Sequence, residues 1–234
     1  PLVAAPSHAS REGTIALTCL AGECGVDCAM VNPQPFQREK LVRLFCDLSQ
    51  RVELPLMIQD VGQNASVDVL VQAAQQAGRV VALKIESPDA PDKIGQVVAE
   101  LQARKLTAVG RQITVLGGAN GNHLPEELGR GSVGTIPFPA IIDAYQMVCN
   151  CFQTGNTAGG QEIYLQCIVP LLRAAAAGGG GNRSIWMHKA ILQRAGILRT
   201  AYCRMDIAPV PDWIMKNVWQ HLAEADLLIS RRLT

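Results

Sequence analysis

Short apolar runs and helically spaced apolar positions alternate along the chain as far as Phe138, and each run is closed by proline, glycine or a polar cluster. The first few residues make one run. Asp27 to Pro33, Glu53 to Asp60, Val80 to Ser87, Ile113 to Gly118 and Val133 to Phe138 make the others. Between them, Ile15, Leu17, Leu20 and Ala21 follow candidate caps at Ser7 to Ser10, and Leu41, Leu44, Phe45 and Leu48 repeat at helical spacing. Val67, Leu70, Val71 and Ala74 do the same from a start near Asn64 to Ser66, as do Ile94, Val97, Val98 and Leu101 behind Pro88-Asp89-Ala90-Pro91-Asp92. A short helix through Leu124 to Leu128 completes the series. Six strands, each followed by a helix, predict an α/β fold with a parallel sheet. Beyond Phe138 the pattern is helical only, around Ile141 to Phe152, Gln161 to Ala177, Ser184 to Ala195 and Pro211 to Leu228, with Gly178 to Gly181 as a helix end and mobile loop.

One charged residue breaks the fourth run. In Val80-Val81-Ala82-Leu83-Lys84-Ile85-Glu86-Ser87, strict alternation puts Val81, Leu83 and Ile85 on one face and Val80, Ala82, Lys84 and Glu86 on the other. The wholly apolar face suits packing under helices, which sends Lys84 to the more enclosed side. An ammonium among apolar neighbours loses hydration, and the free amine it then favours is a nucleophile towards carbonyls. A lysine paired with Glu86, or snorkelling from a strand end, is the other reading of the same octapeptide.

Composition narrows what such a lysine serves. The 234 residues are 48% hydrophobic and 18% charged, enough for one large core, and 21 Lys plus Arg against 20 Asp plus Glu leave a formal charge of +1 with no basic block. That balance argues against a nucleic-acid binder and for small-molecule work. No apolar run approaches the roughly 20 residues that span a bilayer, and the first residues lack the regions of a signal peptide, so no membrane association and a cytoplasmic location are expected. Eight cysteines form no C-x-x-C pair and sit mostly in apolar patterns, as reduced structural thiols do. His8, His123, His188 and His221 are too far apart in sequence to suggest a metal site.

The ordered set of segments resembles the dihydrodipicolinate synthase and N-acetylneuraminate lyase family of class I aldolases. Leu54-Pro55-Leu56-Met57-Ile58-Gln59-Asp60 is similar to the family's fifth strand, and Ala82-Leu83-Lys84-Ile85-Glu86-Ser87 to its sixth, which carries the Schiff-base lysine. Val115-Leu116-Gly117-Gly118 resembles the seventh strand. Leu128-Gly129-Arg130-Gly131-Ser132-Val133-Gly134-Thr135-Ile136 resembles the approach to the eighth, and Arg183 to Ile197 a helix near the family's C-terminus. The resemblance implies a (β/α)8 TIM-barrel type fold lacking the first two βα units, with residues 1–155 as barrel units and 156–234 as a C-terminal helical extension.

It also implies a lyase or synthase in which Lys84 forms an imine with pyruvate or another 2-oxo acid, with no cofactor and no metal, in a homo-oligomer, dimer or tetramer. Gln59 would hold substrate, Asp60 or Glu86 would be the acid/base group, and Asn32 and Ile136 would line the mouth, while Gly117 and Gly118 offer backbone N–H groups as a cradle for a phosphate or carboxylate. Other readings stay open for several: Asp60 as a strand-end cap, Glu86 as a plain ion-pair partner, Gly117-Gly118-Ala119-Asn120-Gly121 as a tight βα turn. Trp186, Trp213 and Trp219 are packing residues, at a subunit contact or within the fold. The family's glycine-rich carboxylate-binding segment after its second strand has no counterpart here, Gln59-Asp60 stands where Tyr-Asn is usual, and Gln34-Pro35-Phe36 replaces tyrosines after strand four. Branches of the family carry Gln-Asp at that place, but glutamine cannot relay a proton as a phenol can. The alternative function is a non-catalytic binding or assembly relative that kept the scaffold.

Overall fold

Serine caps open two of the first helices, as seen in a computed structural model that describes residues 1–33, 38–62, 65–107, 112–207 and 210–233. Ser10 accepts the amide of Gly13 at 3.1 Å and opens α1 (Arg11–Glu23). Ser66 does the same for Val69 at 3.4 Å and opens α3 (Val67–Gln76), while Pro91 stands in the first turn of α4 (Ala90–Ala103). Helix α2 spans Arg38–Arg51. Gln34, Pro35, Phe36 and Asn64, singled out above, lie outside the described residues.

The strands are β1 (Val3–Ala4), β2 (Cys28–Val31), β3 (Leu56–Val61), β4 (Val80–Glu86) and β5 (Thr114–Leu116). They form one parallel sheet in the order β1-β2-β3-β4-β5. Sequential order with every strand parallel means that each helical crossover returns one strand further on, the winding of a barrel wall rather than of a doubly wound sheet. Leu56, Ile58, Leu83, Ile85 and Val115 pack with Leu41, Leu44, Phe45, Leu48, Leu70, Ile94, Val97 and Leu101 in one buried cluster. That cluster is the helix side of the sheet. Met57, Gln59, Ala82 and Lys84 are absent from it and face the other way.

Two expectations need correcting. The sixth strand is not formed: from Val133 to Phe138 only one bridge, Gly117 to Thr135, joins the segment to β5, with hydrogen bonds Val133 N to Val115 O and Gly117 N to Gly134 O, each 2.9 Å. Pro137 has no N–H to extend the ladder and Gly134 supplies no side chain to pack, so pairing stops there. The alternation along β4 also fails at its start. Leu56 pairs with Val80 but Met57 with Ala82, so Val81 is an extra, bulged residue. Val80 therefore joins the helix-side core with Leu83, and Val81 is 41% exposed. From Ala82 onward the expected faces hold.

The chain divides into two compact units, residues 1–119 with 126–135 and residues 120–125 with 136–234. The second unit is helical: α6 (Ile142–Gln153), α7 (Thr157–Ile163), a π turn over Tyr164–Ile168, α8 (Val169–Ala177), α9 (Gly181–Arg194) and α10 (Asp212–Glu224). The short α5 (Leu124–Gly129) crosses the division. Within the second unit the phenols of Tyr145 and Tyr164 donate to the carbonyls of Asn120 and Asn122 at 2.8 and 2.6 Å. His188 is buried against Phe138, and burial pushes its pKa down to about 4, so it stays neutral. Arg194 lies 4.5 Å over the ring of Trp219, whereas Trp213 is exposed.

The bulge gives adjacent positions opposite sensitivities. Leu83→Ala, at a site with no exposed surface, is expected to cost about 2–5 kcal/mol in a denaturant titration, and Val81→Ala less than about 1 kcal/mol. Equal losses at the two positions would contradict the bulge.

Candidate active site

Strand β4 brings Lys84 and Glu86, two residues apart, to the face of the sheet that looks away from the helices. The Lys84 side chain is 7% exposed, and its Nζ lies 2.9 Å from Glu86 Oε2. Gln59, paired in register with Lys84, donates its amide to the same Oε2 at 2.5 Å. The other oxygen, Oε1, accepts the backbone N–H of Ala119 at 2.8 Å. Burial by itself pushes the Glu86 carboxyl up, but the Ala119 N–H, the Gln59 amide and the Lys84 ammonium together outweigh it, and the net pKa is depressed. Glu86 is thus held as a carboxylate between three donors.

The loop that supplies the Ala119 amide is strained. Ala119 and Asn120 adopt left-handed backbone conformations, with φ of 48° and 57°, followed by Gly121 at 71°. Such a conformation costs a non-glycine residue on the order of 1 kcal/mol or more, and here it turns an N–H onto the Glu86 carboxylate. The Gly117-Gly118 pair before it has a steric reason. A Cβ at Gly118 would overlap the Glu86 side chain, and one at Gly117 would overlap the carboxyl of Glu127. Both glycines, read from sequence as an anion cradle or a tight βα turn, make room for carboxyl groups of the protein itself.

Asp60 is not brought to this cluster. It alternates to the helix side with its register partner Ile85, is fully buried, and pairs with Lys93 Nζ of α4 at 2.6 Å while accepting the Ala65 N–H at 3.1 Å. Lys93 also donates to the Ala65 carbonyl at 2.6 Å. These contacts tie the end of β3 and Ala65 to α4. Asn32 follows β2 one residue beyond the Val31–Ile58 pair, level with Gln59. Its N–H donates to Ser7 Oγ at 2.9 Å, and its buried Oδ1 has no hydrogen-bond partner among the described residues. Ile136 belongs to the second unit and is 36% exposed.

Two residues escaped the sequence reading. Lys93 leads the stripe Val97 and Leu101 at helical spacing, and Glu127 sits three residues from the buried Leu124; each is an ionisable group on an apolar face, which is the signal that marks them. Glu127 is 1% exposed with its Oε2 unpartnered among the described residues. Burial, then the charges of Glu126 and Glu86, push its pKa up to about 7. All eight cysteines are free thiols, and among the described residues no group of three histidine, cysteine or acidic side chains is placed to hold a metal. Among the same residues no helix is long and apolar enough to cross a membrane.

The buried pairs make two predictions. Lys93→Met leaves the Asp60 charge buried and unanswered, with an expected loss of about 3–5 kcal/mol in denaturant unfolding; a loss under about 1 kcal/mol would show that the pair is not needed. Glu127 binds its proton more tightly when folded than at the ordinary value of 4.5, so its stabilising contribution is complete below that value and is lost as pH rises through about 7. Between pH 4.5 and 8 this group should remove on the order of 2–3 kcal/mol of stability, read as the difference between wild type and Glu127→Gln in unfolding at the two pH values.

No protein-family model matches the sequence, and no curated protein sequence matches it. Solved structures do match. A dihydrodipicolinate synthase from Rhodopseudomonas palustris superimposes with a TM-score of 0.80 at 20% identity, covering 94% of this chain and 73% of that one. The Thermotoga maritima dihydrodipicolinate synthase gives a TM-score of 0.81 at 21% identity, with 96% and 75% covered. The chloride-inhibited enzyme of Acinetobacter baumannii, solved in complex with pyruvate, gives 0.76 at 20% identity, with 97% and 76% covered. The chain spans about three quarters of the length of these structures, and along nearly all of its own length it has the α/β, TIM-barrel type fold of the dihydrodipicolinate synthases.

Proposed function

We propose that the protein is a Schiff-base-forming lyase or synthase that acts on pyruvate or another 2-oxo acid through Lys84. One observation carries the reading: a lysine with 7% of its side chain exposed, on the face of a parallel barrel-type sheet opposite the helix-packed core, with a carboxylate 2.9 Å from its amine. The likeness in fold to synthases, one of them complexed with pyruvate, supports it.

The chemistry assigns each neighbour a task. The free amine of Lys84 adds to the ketone carbon, the carbinolamine takes a proton and loses water, and the protonated imine becomes the electron sink for making or breaking the adjacent bond. Glu86, held ionised by its three donors, is the counter-ion of that cation and stabilises the charged imine over the neutral carbinolamine. The second hydrogen of the Gln59 amide, and the unpartnered Oδ1 of Asn32 beside it in register, orient the polar end of the substrate. Asp60, occupied by Lys93, takes no part in proton transfer. The reading takes the protein as a cytoplasmic homo-oligomer, dimer or tetramer, whose contacts would cover exposed apolar side chains such as Ile142, Leu165 and Trp213.

Incubation with pyruvate and borohydride, followed by peptide mass analysis, tests this directly. A reduced adduct is expected on the Lys84 peptide and none in Lys84→Arg. An unmodified Lys84 across a panel of 2-oxo acids would sink the enzyme reading and leave a binding or assembly role on the same scaffold.

A further inference from the structure

Two carboxyl groups press on the Gly117-Gly118 dipeptide from opposite faces: Glu86 at Gly118 on the Lys84 side, and Glu127 at Gly117 on the other. They are treated very differently by their surroundings. Glu86 is answered by the Ala119 N–H, Gln59 and Lys84, whereas Glu127 is 1% exposed with Oε2 unpartnered among the described residues. A buried carboxyl that lacks donors is cheaper as the neutral acid than as the anion. The charged groups on the elements around Glu127 do not favour its anion. Glu126 on its own helix and Glu86 on β4 both oppose it. Helix α4 packs against Arg130 and Gly131, just beyond Glu127, through Gly95 and Val98, but its Lys93 is paired with Asp60 at 2.6 Å, and its Asp92 takes up Arg130 at 3.1 Å.

We infer that Glu127 is a positioning residue for Lys84: it stands as a neutral acid behind Gly117, and on losing its proton it adds a second negative charge behind the Lys84–Glu86 pair and holds Lys84 as the unreactive ammonium. The inference rests on the imine-forming reading of Lys84. Glu127 touches no reacting atom. It acts through Glu86, whose charge it feels across two glycines that have no side chains to separate the carboxyl groups. Its titration near pH 7 places the effect where a 2-oxo acid enzyme of ordinary cells would meet it. A structural carboxyl at this position would alter stability alone; a positioning carboxyl alters the pH dependence of the amine.

The test compares wild type with Glu127→Gln, which keeps shape and removes the ionisation. The rate at which pyruvate and borohydride trap Lys84 is followed from pH 6 to 9, beside the rate at which acetic anhydride labels Lys84 in the absence of any 2-oxo acid. In both assays the ratio of variant to wild-type rate is expected to rise about threefold across neutral pH. Glu127→Asp, which keeps a carboxyl, retains the wild-type profile shape and serves if the glutamine variant does not fold. A labelling ratio that is flat with pH overturns the inference. Wild type that labels with a rising ratio but traps no 2-oxo acid overturns the imine reading while the coupling of Glu127 to Lys84 stands.

Discussion

The arrangement depends on keeping one carboxylate charged inside the protein. Glu86 gives up most of its hydration, and only its donors, the strained amide of Ala119, the Gln59 side chain and Lys84, keep it ionised. Remove any one and the balance between burial and hydrogen bonding tilts towards the neutral acid. The surrounding sequence makes sense as provision for those donors. Gly118 has no side chain because Glu86 occupies the space, Ala119 adopts a left-handed conformation because its N–H has to turn inward, and Gln59 occurs in register with Lys84 because β3 and β4 run parallel.

The sheet separates two kinds of ion pair that are alike in composition. Lys84 with Glu86 and Lys93 with Asp60 are both lysine–carboxylate pairs at 2.9 and 2.6 Å, and both are largely buried. Their faces differ. Lys93 reaches Asp60 from α4, on the helix side, where the pair and the Ala65 backbone are joined by hydrogen bonds. Lys84 and Glu86 sit on the face turned away from the helices, where packing does not use up the amine. Location, more than composition, sets the two pairs apart.

Much of this was legible in the sequence. The helix starts at Ser10 and Ser66, the parallel strands and the face of Lys84 follow from caps and periodicity, because those are local properties. The sixth strand misled because Val133 to Phe138 has strand-like composition, and the single bridge it makes depends on a partner strand that periodicity does not describe. For Asp60 the sequence left two readings, an acid/base group and a strand-end cap, and the structure places its carboxylate on Lys93 and the Ala65 N–H, on the face opposite Gln59. Glu127 carries only a weak sequence signal, its spacing from Leu124, because a glutamate in a short helix is usually solvated; the close approach of its carboxyl to Gly117 is a long-range fact.

The bulged Val81 has a consequence for how the chain tolerates change. The extra residue sits at the entrance of β4, between the turn after α3 and the pairing of Ala82 to Glu86 with Met57 to Val61. A residue gained or lost in that turn can be taken up by growing or erasing the bulge, while Lys84 stays opposite Gln59. The strand thus carries its own slack upstream of Lys84, and drift in loop length before it leaves Lys84 and Gln59 in register.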